Sequence, residues 1–498
     1  MQLKDLIAAV EPVTTEGDLN CVVSGIAYDS RRVTPGMVFV AIPGQKTDGH
    51  EHISAAIERG AVAVICERNG FVPHRTTKVK VADSRIALAR AAAAFCGHPS
   101  AKLKVIGVTG TNGKTTVAFM VKHLLETAGL KTGLIGTVRY EIGERMIPAQ
   151  RTTPEALEIQ HLLAQMLRAD CQACVMEVSS HALVQHRVDG VEFDVVAFTN
   201  LTQDHLDYHG SMESYYEAKK KLFVDWVQQE KSAKAVINID DVFGDRLSRE
   251  SDLEVQLSYG LKDSARLRAT DIQLGRNETR FVARTSDHEI SLALPLIGRH
   301  NIYNALAAVG TALMLKLDIS VISRAMRTLP PVPGRLEAIA QGQPFGLFVD
   351  YAHTDDALRN VLATLREITP GRLLLAFGCG GNRATGKRAK MGRVAAELAD
   401  YTVITSDNPR RESPAMIAAQ IEEGFRAIRA EGYQVELDRR RAIDDVLRVA
   451  QAGDSVLIAG KGHETYQEFE DTVVPFDDRV YARETLENLG YAAAGKQS

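Results

Sequence analysis

The chain has 498 residues, of which 45% are hydrophobic and 24% charged, and it carries a formal net charge of −4. This composition excludes a disordered chain, and the length corresponds to about three domains of about 150 residues each. The chain has no excess of basic residues, so we expect no binding to nucleic acid. It has no apolar run of about 18 residues and starts with the polar MQLKDLIAAVEP, so we expect a cytoplasmic protein that does not bind the membrane. We also expect a monomer.

Two breaks divide the chain into three blocks. An alanine-rich helical pattern stops at residues 97–100 (GHPS), and the strand-like run LKVIGVTG follows it. The second break is LPPVPG at residues 329–334, whose prolines cannot continue a helix. The blocks are therefore residues 1–99, 100–333 and 334–498.

Short apolar runs alternate with helical patterns in all three blocks. The first block has VVSGIAYDS, MVFVAI and AVAVIC, and the second has KVIGV, CVMEV, DVVAFT and KAVINI. The third has LFVDYAH, LLLAFG, YTVITSD and SVLIAG, each followed by a helical pattern. This alternation predicts an α/β fold of parallel sheets covered by helices, with sites at the carboxyl ends of the strands. Cys171 and Cys174 form a CxxC that lacks the second half of a zinc shell, so we expect buried structural cysteines.

A glycine-rich loop lies between the first strand of the second block and an amphipathic helix. It comprises Gly110, Thr111, Asn112, Gly113, Lys114, Thr115 and Thr116. Glycines here let backbone N–H groups approach phosphates at the positive end of the helix, and the lysine neutralises the phosphates. The Thr115 hydroxyl suits Mg²⁺, which prefers oxygen ligands. The loop is a variant of GxxxxGK[ST], because Val108 stands where the first glycine falls, and it predicts nucleotide binding.

Charged side chains follow two further predicted elements. Glu177 comes at the carboxyl end of CVMEV, where a carboxylate can hold Mg²⁺ directly or through water, and Ser179 or Ser180 can cap the next helix. The segment TNLTQDHLDYHGSMESYYEAKKKLF contains His205 and the run Lys219–Lys221. By themselves, the histidine is typical of a surface residue and the lysine run is typical of the solvated face of a helix.

Taken together, the motifs resemble the Mur ligase family. GTNGKTT, EVSSHAL, NLTQDHLDYHG and YYEAK come in the family's order and are followed by GRHNIYNALAA, PGRLE, VDYAH and GKGHE. The resemblance covers essentially the whole chain. It implies a small N-terminal α/β module that binds the UDP-muramoyl substrate (1–99), a central ATP-binding P-loop domain (100–333) and a C-terminal Rossmann-like domain that binds the amino acid (334–498).

The resemblance implies an ATP-dependent acid–amino-acid ligase that forms an amide on a UDP-linked muramoyl peptide in peptidoglycan synthesis. By motif position, the catalytic residues are Lys114, Glu177, His205 and Lys219. Lys219 matches a lysine that becomes N6-carboxylysine, and this change from a cation to a carboxylate would let it order Mg²⁺. The implied metal ligands are Thr115, Glu177, His205 and the modified Lys219.

Three residues resemble ATP contacts on either side of the proline-rich connector. Asn304 and Arg335 resemble adenine and phosphate contacts, and Asp350 resembles the ribose contact. A polar helix face or strand-end capping is the alternative for each of them.

The amino acid is suggested by DNPR, which comprises Asp407, Asn408, Pro409 and Arg410. This run resembles the signature of family members that add meso-2,6-diaminopimelate. An arginine fork can pair with the carboxylate at the far end of diaminopimelate and gains nothing from L-lysine. Arg383 matches a second arginine of this pocket, Glu464 could take the distal ammonium, and Gly460 offers its backbone.

The remaining matches concern the other substrate, UDP-MurNAc-L-Ala-D-Glu. Tyr28, Ser30 and Gln45 match positions that contact UDP. The matches to muramoyl-dipeptide and phosphate contacts are Thr152, Thr153, Ser180, Gln185 and Arg187. An ordinary surface arginine is the alternative for Arg187.

Three other functions stay open. A lysine-adding Mur ligase is opposed by Arg410, and a folylpolyglutamate synthase typically has GKGS where this chain has GKTT. A silent nucleotide-gated binding protein would lack at least one of the four catalytic residues, yet all four are present. The base that deprotonates the attacking amine is not identified by the sequence.

Overall fold

The computed structural model describes residues 1–44, 47–68, 75–224, 233–251, 253–275, 278–383 and 385–491. Within these ranges, each of the three predicted blocks has its own sheet with helices packed on it. The predicted α/β class is confirmed.

The first block is a small α/β unit. Its elements are α1 (Leu3–Ala8), β1 (Thr14–Glu16), β2 (Gly25–Ala27), β3 (Met37–Val40), α2 (Ile53–Glu58), β4 (Ala63–Cys66), β5 (Thr77–Lys80) and α3 (Ser84–Phe95). The strand order is β1-β5-β4-β3-β2, in which β1 alone is antiparallel to its neighbour among the described strands. Asp83 starts the alanine-rich α3, because its carboxylate accepts hydrogen bonds from the N–H groups of Arg85 and Ile86.

The second block is built on a long mixed sheet. Its first half comprises α4 (Pro99–Lys102), β6 (Lys104–Thr109), α5 (Lys114–Thr127), β7 (Thr132–Ile135), β8 (Arg139–Ile142), β9 (Arg145–Pro148), α6 (Ala156–Arg168), β10 (Ala173–Glu177), α7 (Ser180–Val184) and β11 (Val195–Phe198). Its second half comprises α8 (Leu206–His209), α9 (Met212–Val224), β12 (Lys234–Asn238), α10 (Val242–Glu250), β13 (Gln256–Gly260), β14 (Leu267–Leu274), β15 (Thr279–Arg284), β16 (Glu289–Leu294), α11 (Arg299–Met314) and α12 (Ile319–Arg327). The strand order is β16-β15-β14-β13-β12-β11-β6-β10-β7-β8-β9.

The centre of this sheet is parallel and its two ends are antiparallel. Strands β6, β10 and β11 lie side by side, with Glu177 opposite Val108, so their carboxyl ends meet at one edge. The antiparallel pairs β14–β15–β16 and β7–β8–β9 flank this centre and depart from the purely parallel sheet expected from the sequence. Short turns such as the one around Gly143, at φ +59°, permit these hairpins. Cys171 and Cys174 are both buried in the core beneath the sheet.

The third block is a doubly covered sheet. Its elements are β17 (Glu337–Ala338), β18 (Gly346–Asp350), α13 (Asp355–Ile368), β19 (Leu373–Phe377), α14 (Gly386–Leu398), β20 (Tyr401–Ile404), α15 (Pro414–Arg426), β21 (Tyr433–Val435), α16 (Arg439–Arg448), β22 (Ser455–Ala459), β23 (Tyr466–Phe469), β24 (Thr472–Pro475) and α17 (Asp478–Asn488). The order is β17-β18-β22-β19-β20-β21. The strands from β18 through β22, β19 and β20 to β21 are parallel to one another, and β17 is antiparallel to β18.

One expectation for this block is wrong. SVLIAG, which forms β22, is followed by the β23–β24 hairpin rather than directly by a helix, and α17 comes only afterwards. Glu470, at φ +49°, and Asp471 form the two-residue turn of this hairpin. The β-branched run Thr472-Val473-Val474 favours a strand over a helix.

Candidate active site

The glycine-rich loop ends where α5 begins, at Lys114. Gly113 has φ +88°, and a Cβ there would stand 2.3 Å from Oδ1 of Asn304, so both the backbone and the space demand glycine. Nζ of Lys114 donates to the carbonyl oxygens of Gly110 (2.9 Å) and Thr111 (2.7 Å). The ammonium is thus folded over the loop, at the N-terminus of a helix where an anion is favoured.

Glu177 is buried beside this loop. Its Oε2 accepts hydrogen bonds from the hydroxyls of Thr115 and Thr137, each at 2.9 Å, and its Oε1 accepts from the N–H of Thr137 at 2.8 Å. A Cβ on Gly136 would lie 2.5 Å from Oε1, so a glycine leaves room for the carboxylate. The loop hydroxyl of Thr115 and the carboxylate of Glu177 therefore stand next to each other, as a shared oxygen pair for a hard cation requires.

Lys219 points from α9 into the same place. Its side chain is 1% exposed, and Nζ donates to the carbonyl oxygen of Gly110 at 2.8 Å and lies 4.7 Å from the centre of the Tyr215 ring. Within the described residues no carboxylate lies within 4.0 Å of Nζ. Burial, reinforced by the charge of Lys114, holds the pKa of Lys219 well below its usual value. This shift makes the neutral amine more accessible here than at an exposed lysine.

Histidine and tyrosine rings form one wall of the site. His205, with φ +53° and a side chain 46% exposed, lies 3.5 Å from Oδ2 of Asp204. The ring of His181 is 4.9 Å from that of His205, and His209 stacks on Tyr215 at 4.9 Å. Burial lowers the pKa of His181 and of His209 to about 4, which keeps both imidazoles neutral. These two were not singled out from the sequence, although both stand in the motifs that carry His205 and Glu177.

A cavity of about 540 Å³ lies between the second and third blocks. The predicted residues that line it are Thr111, Asn112, Gly113, Lys114, Thr115, Thr116, Thr152, Glu177, Ser180, His205, Lys219, Asn304, Arg335 and Asp350. The structure thus brings together residues that the sequence places more than 200 positions apart.

The third block reaches across to the phosphate loop. Nη2 of Arg335 donates to the hydroxyl of Thr115 at 3.0 Å. Oδ2 of Asp356 accepts from Nδ2 of Asn112 and from the hydroxyl of Thr202, both at 3.0 Å. Asp356 was not identified from the sequence, because its partners are more than 150 residues away. These hydrogen bonds connect the second and third blocks beside the cavity.

Asn304 and Asp350 also make structural bonds. Nδ2 of Asn304 donates to Oδ1 of Asn301 at 3.0 Å, and the Asp350 carboxylate accepts from the N–H groups of Leu336 (2.6 Å) and Ala352 (2.8 Å). Strand-end capping by Asp350, the alternative considered from the sequence, therefore occurs, and the residue lines the cavity as well.

The residues matched to the muramoyl-dipeptide continue from the cavity. Thr152 bonds to Thr137 through the hydroxyls at 3.0 Å, and the Thr153 hydroxyl donates to the carbonyl of Glu177 at 2.8 Å. Nη1 of Arg187 donates to the carbonyl of Thr153 at 2.8 Å, and Gln185 accepts from Nη2 of Arg187 at 2.6 Å.

Arg187 is not an ordinary surface arginine. Its side chain is largely buried and pairs with Glu155 at 3.0 Å. Burial lowers its pKa, and Glu155 opposes that shift. The carbonyl of Thr153, the amide of Gln185 and the carboxylate of Glu155 together hold this buried cation in place.

Two of the three UDP residues are described. The Tyr28 hydroxyl donates to Oε1 of Glu158 on α6 at 2.8 Å, which links the first block to the second. Ser30 begins a helical turn, and Gln45 lies outside the described residues. The structure does not bring Tyr28 and Ser30 to the lining of the cavity.

The residues matched to the amino acid converge at the carboxyl ends of β19, β20 and β22. A Cβ on Gly380 would lie 3.1 Å from Nη1 of Arg410 and 3.9 Å from Cγ of Arg383, so both arginines border that glycine. Nε of Arg410 donates to Oε2 of Glu468 at 2.8 Å, and its Nη1 donates to the carbonyl of Gly381 at 2.9 Å. Pro409 approaches the same loop, because a Cβ on Gly381 would stand 1.9 Å from its carbonyl oxygen.

The GKGHE turn approaches the same strand ends. Nδ2 of Asn408 donates to Oε2 of Glu464 at 2.8 Å. Gly460, at φ +111°, leaves room for Asp407, whose Oδ2 would be 2.7 Å from a Cβ there. The turn also carries Lys461, a buried residue that was not singled out from the sequence. Arg383, Arg410 and Asn408 thus approach Gly380, and Asn408 connects this group to Glu464.

Models of three successive domains of one family match the chain. The one described as "Mur ligase family, catalytic domain" matches residues 22–96, "Mur ligase middle domain" matches 108–312 and "Mur ligase, glutamate ligase domain" matches 334–462. The chain belongs to the Mur ligase family. Each matched range falls within one of the three blocks, and the resemblance noted from the motifs is confirmed.

Relatives extend the likeness over the full length. A protein of Syntrophomonas wolfei named UDP-N-acetylmuramoyl-L-alanyl-D-glutamate–2,6-diaminopimelate ligase is 44% identical over 486 residues, which cover 98% of this chain and 99% of the relative. A protein of Solibacter usitatus with the same name is 45% identical over 469 residues, 94% of each chain. A solved structure of a ligase of that name is 32% identical with a TM-score of 0.71, and the match covers 99% of this chain and 100% of that one. In the described part of the chain, no helix is both long and apolar enough to cross a membrane.

Proposed function

We propose that this chain is a cytoplasmic, monomeric ATP-dependent ligase that joins meso-diaminopimelate to the D-glutamate side-chain carboxylate of UDP-MurNAc-L-Ala-D-Glu. The observation that carries the proposal is the cluster in which Arg383, Arg410 and Asn408 approach Gly380 and Asn408 bonds Glu464. This cluster is taken as the amino-acid pocket. The names of the full-length relatives support the same substrates. In this proposal residues 1–99 bind the UDP end, 100–333 bind ATP and 334–498 bind the amino acid.

The ATP site is assigned to the cavity between the second and third blocks. Phosphates would lie on the N–H groups of the Gly110–Thr116 loop and against Lys114 and Arg335. Asn304 and Asp350 line the same cavity, where the base and ribose are expected. A volume of about 540 Å³ fits a ligand of this size.

Mg²⁺ fits the oxygen atoms present beside the phosphate loop. Thr115, Glu177 and His205 would hold it together with Lys219 as N6-carboxylysine. Bound Mg²⁺ would neutralise charge on the oxygens of the phosphoryl group during transfer. The burial of Lys219 and the lowered pKa of its amine support the modification, because only a neutral amine reacts with CO₂ and because an ammonium at this position would repel a metal.

The chemistry follows from the need for a better leaving group. A carboxylate does not react with amines, since an oxide would have to leave. Transfer of the γ-phosphoryl group of ATP to the D-glutamate side-chain oxygen gives an acyl phosphate and ADP. The amine then attacks the acyl carbon, phosphate leaves with that oxygen, and the nitrogen loses a proton. Lys114 and Arg335 stabilise the charge in transfer, and the bonds between the blocks orient the reactants.

The proposal is tested by phosphate release from ATP in the presence of Mg²⁺ and UDP-MurNAc-L-Ala-D-Glu. We expect release with meso-diaminopimelate and not with L-lysine or without an amino acid. Arg410→Ala should abolish the difference between the two amines, whereas Arg411→Ala, whose side chain is 72% exposed and pairs with Asp471, should not. Release that prefers L-lysine would refute the assignment of the amino acid.

A further inference from the structure

Lys461 is completely buried beside the amino-acid pocket. Its side chain is 0% exposed, and Nζ donates to Oδ1 of Asn408 and to Oε2 of Glu464, each at 3.0 Å. Oδ1 of Asp407 lies 3.8 Å from the same nitrogen. Burial of an ammonium is costly unless the charge is paired and hydrogen-bonded, so these partners account for its position.

The bonds of Lys461 close a ring with two residues assigned to the substrate. Asn408 donates through Nδ2 to Oε2 of Glu464, while its Oδ1 accepts from Lys461 and from the N–H of Glu468 at 3.1 Å. The amide is therefore fixed in one orientation. Among the described residues, the hydrogen bonds that Glu464 receives through its side chain go to Oε2, which leaves Oε1 to a substrate ammonium.

The backbone of the same loops is held by a different group. Arg439 on α16 is wholly buried, pairs with Asp478 at 2.7 Å and donates to the carbonyl oxygens of Ser406 (3.2 Å) and Ala459 (2.9 Å). These two carbonyls precede the DNPR and GKGHE segments. Because Arg439 fixes the main chain, removal of the Lys461 charge should change side-chain positions and charge without unfolding the loops.

Lys461 also sets the charge of the pocket. Its ammonium offsets the negative charges of Asp407 and Glu464 on one side, while Arg410 on the other side is already bonded to Glu468 through Nε. Without Lys461 the pocket would gain net negative charge. A more negative pocket disfavours the extra carboxylate of diaminopimelate and favours the terminal ammonium of L-lysine.

We propose that Lys461 is a positioning residue that orients Asn408 and Glu464 and thereby sets the preference of the pocket for meso-diaminopimelate over L-lysine. This inference rests on the proposed function. It assigns to a buried lysine a selectivity role distinct from contact with the substrate.

The test compares Lys461→Met, Lys461→Gln and the wild-type chain in kcat and KM for each substrate. Lys461→Gln keeps a hydrogen-bond donor without the charge, and it serves if Lys461→Met fails to fold. We expect KM for diaminopimelate to rise by about 10- to 100-fold in both variants, as small misplacements of positioning groups do. The ratio of kcat/KM for diaminopimelate to kcat/KM for L-lysine should fall by at least about tenfold, for the same reason. The KM for ATP should stay within about twofold of the wild-type value, because the ATP site is elsewhere. Lys461→Arg, which keeps the charge, should recover part of the ratio.

Lys390→Met is the matched control, because Lys390 is exposed on α14 of the same block. It should leave every constant unchanged. An unchanged amine ratio in folded Lys461→Met or Lys461→Gln, or loss of folding in both, would overturn the selectivity role. If the wild-type chain makes no product with diaminopimelate, both the proposed function and this inference are refuted. If the wild type turns over and the ratio is unchanged in the variants, the inference alone is refuted.

Discussion

Lys219→Met separates the chemical role of this lysine from any structural one. The substitution keeps the length of the side chain and removes the amine. It loses the hydrogen bond to the carbonyl of Gly110, worth about 0.5–1.5 kcal/mol, and it also removes the cost of burying a polar group, about 1–3 kcal/mol. The two contributions oppose each other, so the free energy of unfolding should change by less than about 2 kcal/mol. Activity should fall by about 10³-fold, equivalent to about 4 kcal/mol of transition-state stabilisation.

The assay is phosphate release at saturating substrates, together with urea unfolding in the same buffer. The control is Lys220→Met on the same helix. The ammonium of Lys220 pairs with Glu250 at 2.9 Å near the surface. Its removal should change the free energy of unfolding by less than about 1 kcal/mol and leave the activity unchanged. Retention of more than a tenth of the activity by Lys219→Met would refute the role. A loss of stability large enough to explain the inactivity would refute it equally.

The pH dependence of stability gives a second readout for Lys219. Its pKa in the folded chain lies below the unfolded value, so between the two values the unfolded chain holds a proton that the folded chain lacks. In CO₂-free buffer, stability should therefore rise with pH through this window by about 1.4 kcal/mol per pH unit, and Lys219→Met should lose that slope. Equal slopes for the two proteins would contradict the lowered pKa of Lys219.

Three further predictions concern the loop and the buried charges. Gly113→Ala, which requires a side chain at φ +88° next to Asn304, should raise KM for ATP at least about tenfold, an amount set by the strain and the clash, whereas Gly97→Ala, at φ +74° with open space, should leave that KM unchanged. Asp478→Asn should destabilise the third block by about 3–5 kcal/mol in urea unfolding because it leaves Arg439 unpaired; Glu484→Gln, which breaks an exposed pair with Arg440, should cost less than about 1 kcal/mol, and equal losses would contradict the assignment. Burial lowers the pKa values of His300 and His353 to about 4, so the unfolded chain takes up protons at these residues first as the pH falls below about 6.5. The free energy of unfolding should therefore decline from pH 6.5 towards pH 4, and His300→Asn should make that decline less steep. An equally steep decline in the variant would contradict the burial of His300.

Local patterns account for what the sequence predicted well. The strand, glycine loop and helix around Lys114 follow from an apolar run, the glycine spacing and the helix period within 24 residues. Glu177 could be placed because the last residue of a buried strand opens onto the sheet edge where the loop lies. The family's motifs supplied Lys219, which charge alone would have assigned to a solvated helix face.

Contacts between distant segments account for what the sequence did not predict. The buried ammonium of Lys461 is bonded to Asn408, 53 positions earlier in the chain. Asp356 meets Asn112 across 244 positions, and Arg439 meets Asp478 across 39. The hairpin after β22 was missed because an apolar strand in this block was expected to lead to a helix.

The most direct test is the product formed from a mixture of equal amounts of meso-diaminopimelate and L-lysine, with ATP, Mg²⁺ and UDP-MurNAc-L-Ala-D-Glu carrying ¹⁸O in the D-glutamate side-chain carboxylate. Mass spectrometry reports both the amine incorporated and the fate of the oxygen. The account predicts a diaminopimelate-containing product and one ¹⁸O atom in the released phosphate. A lysine-containing product would contradict the amino-acid pocket, and unlabelled phosphate would contradict the acyl phosphate.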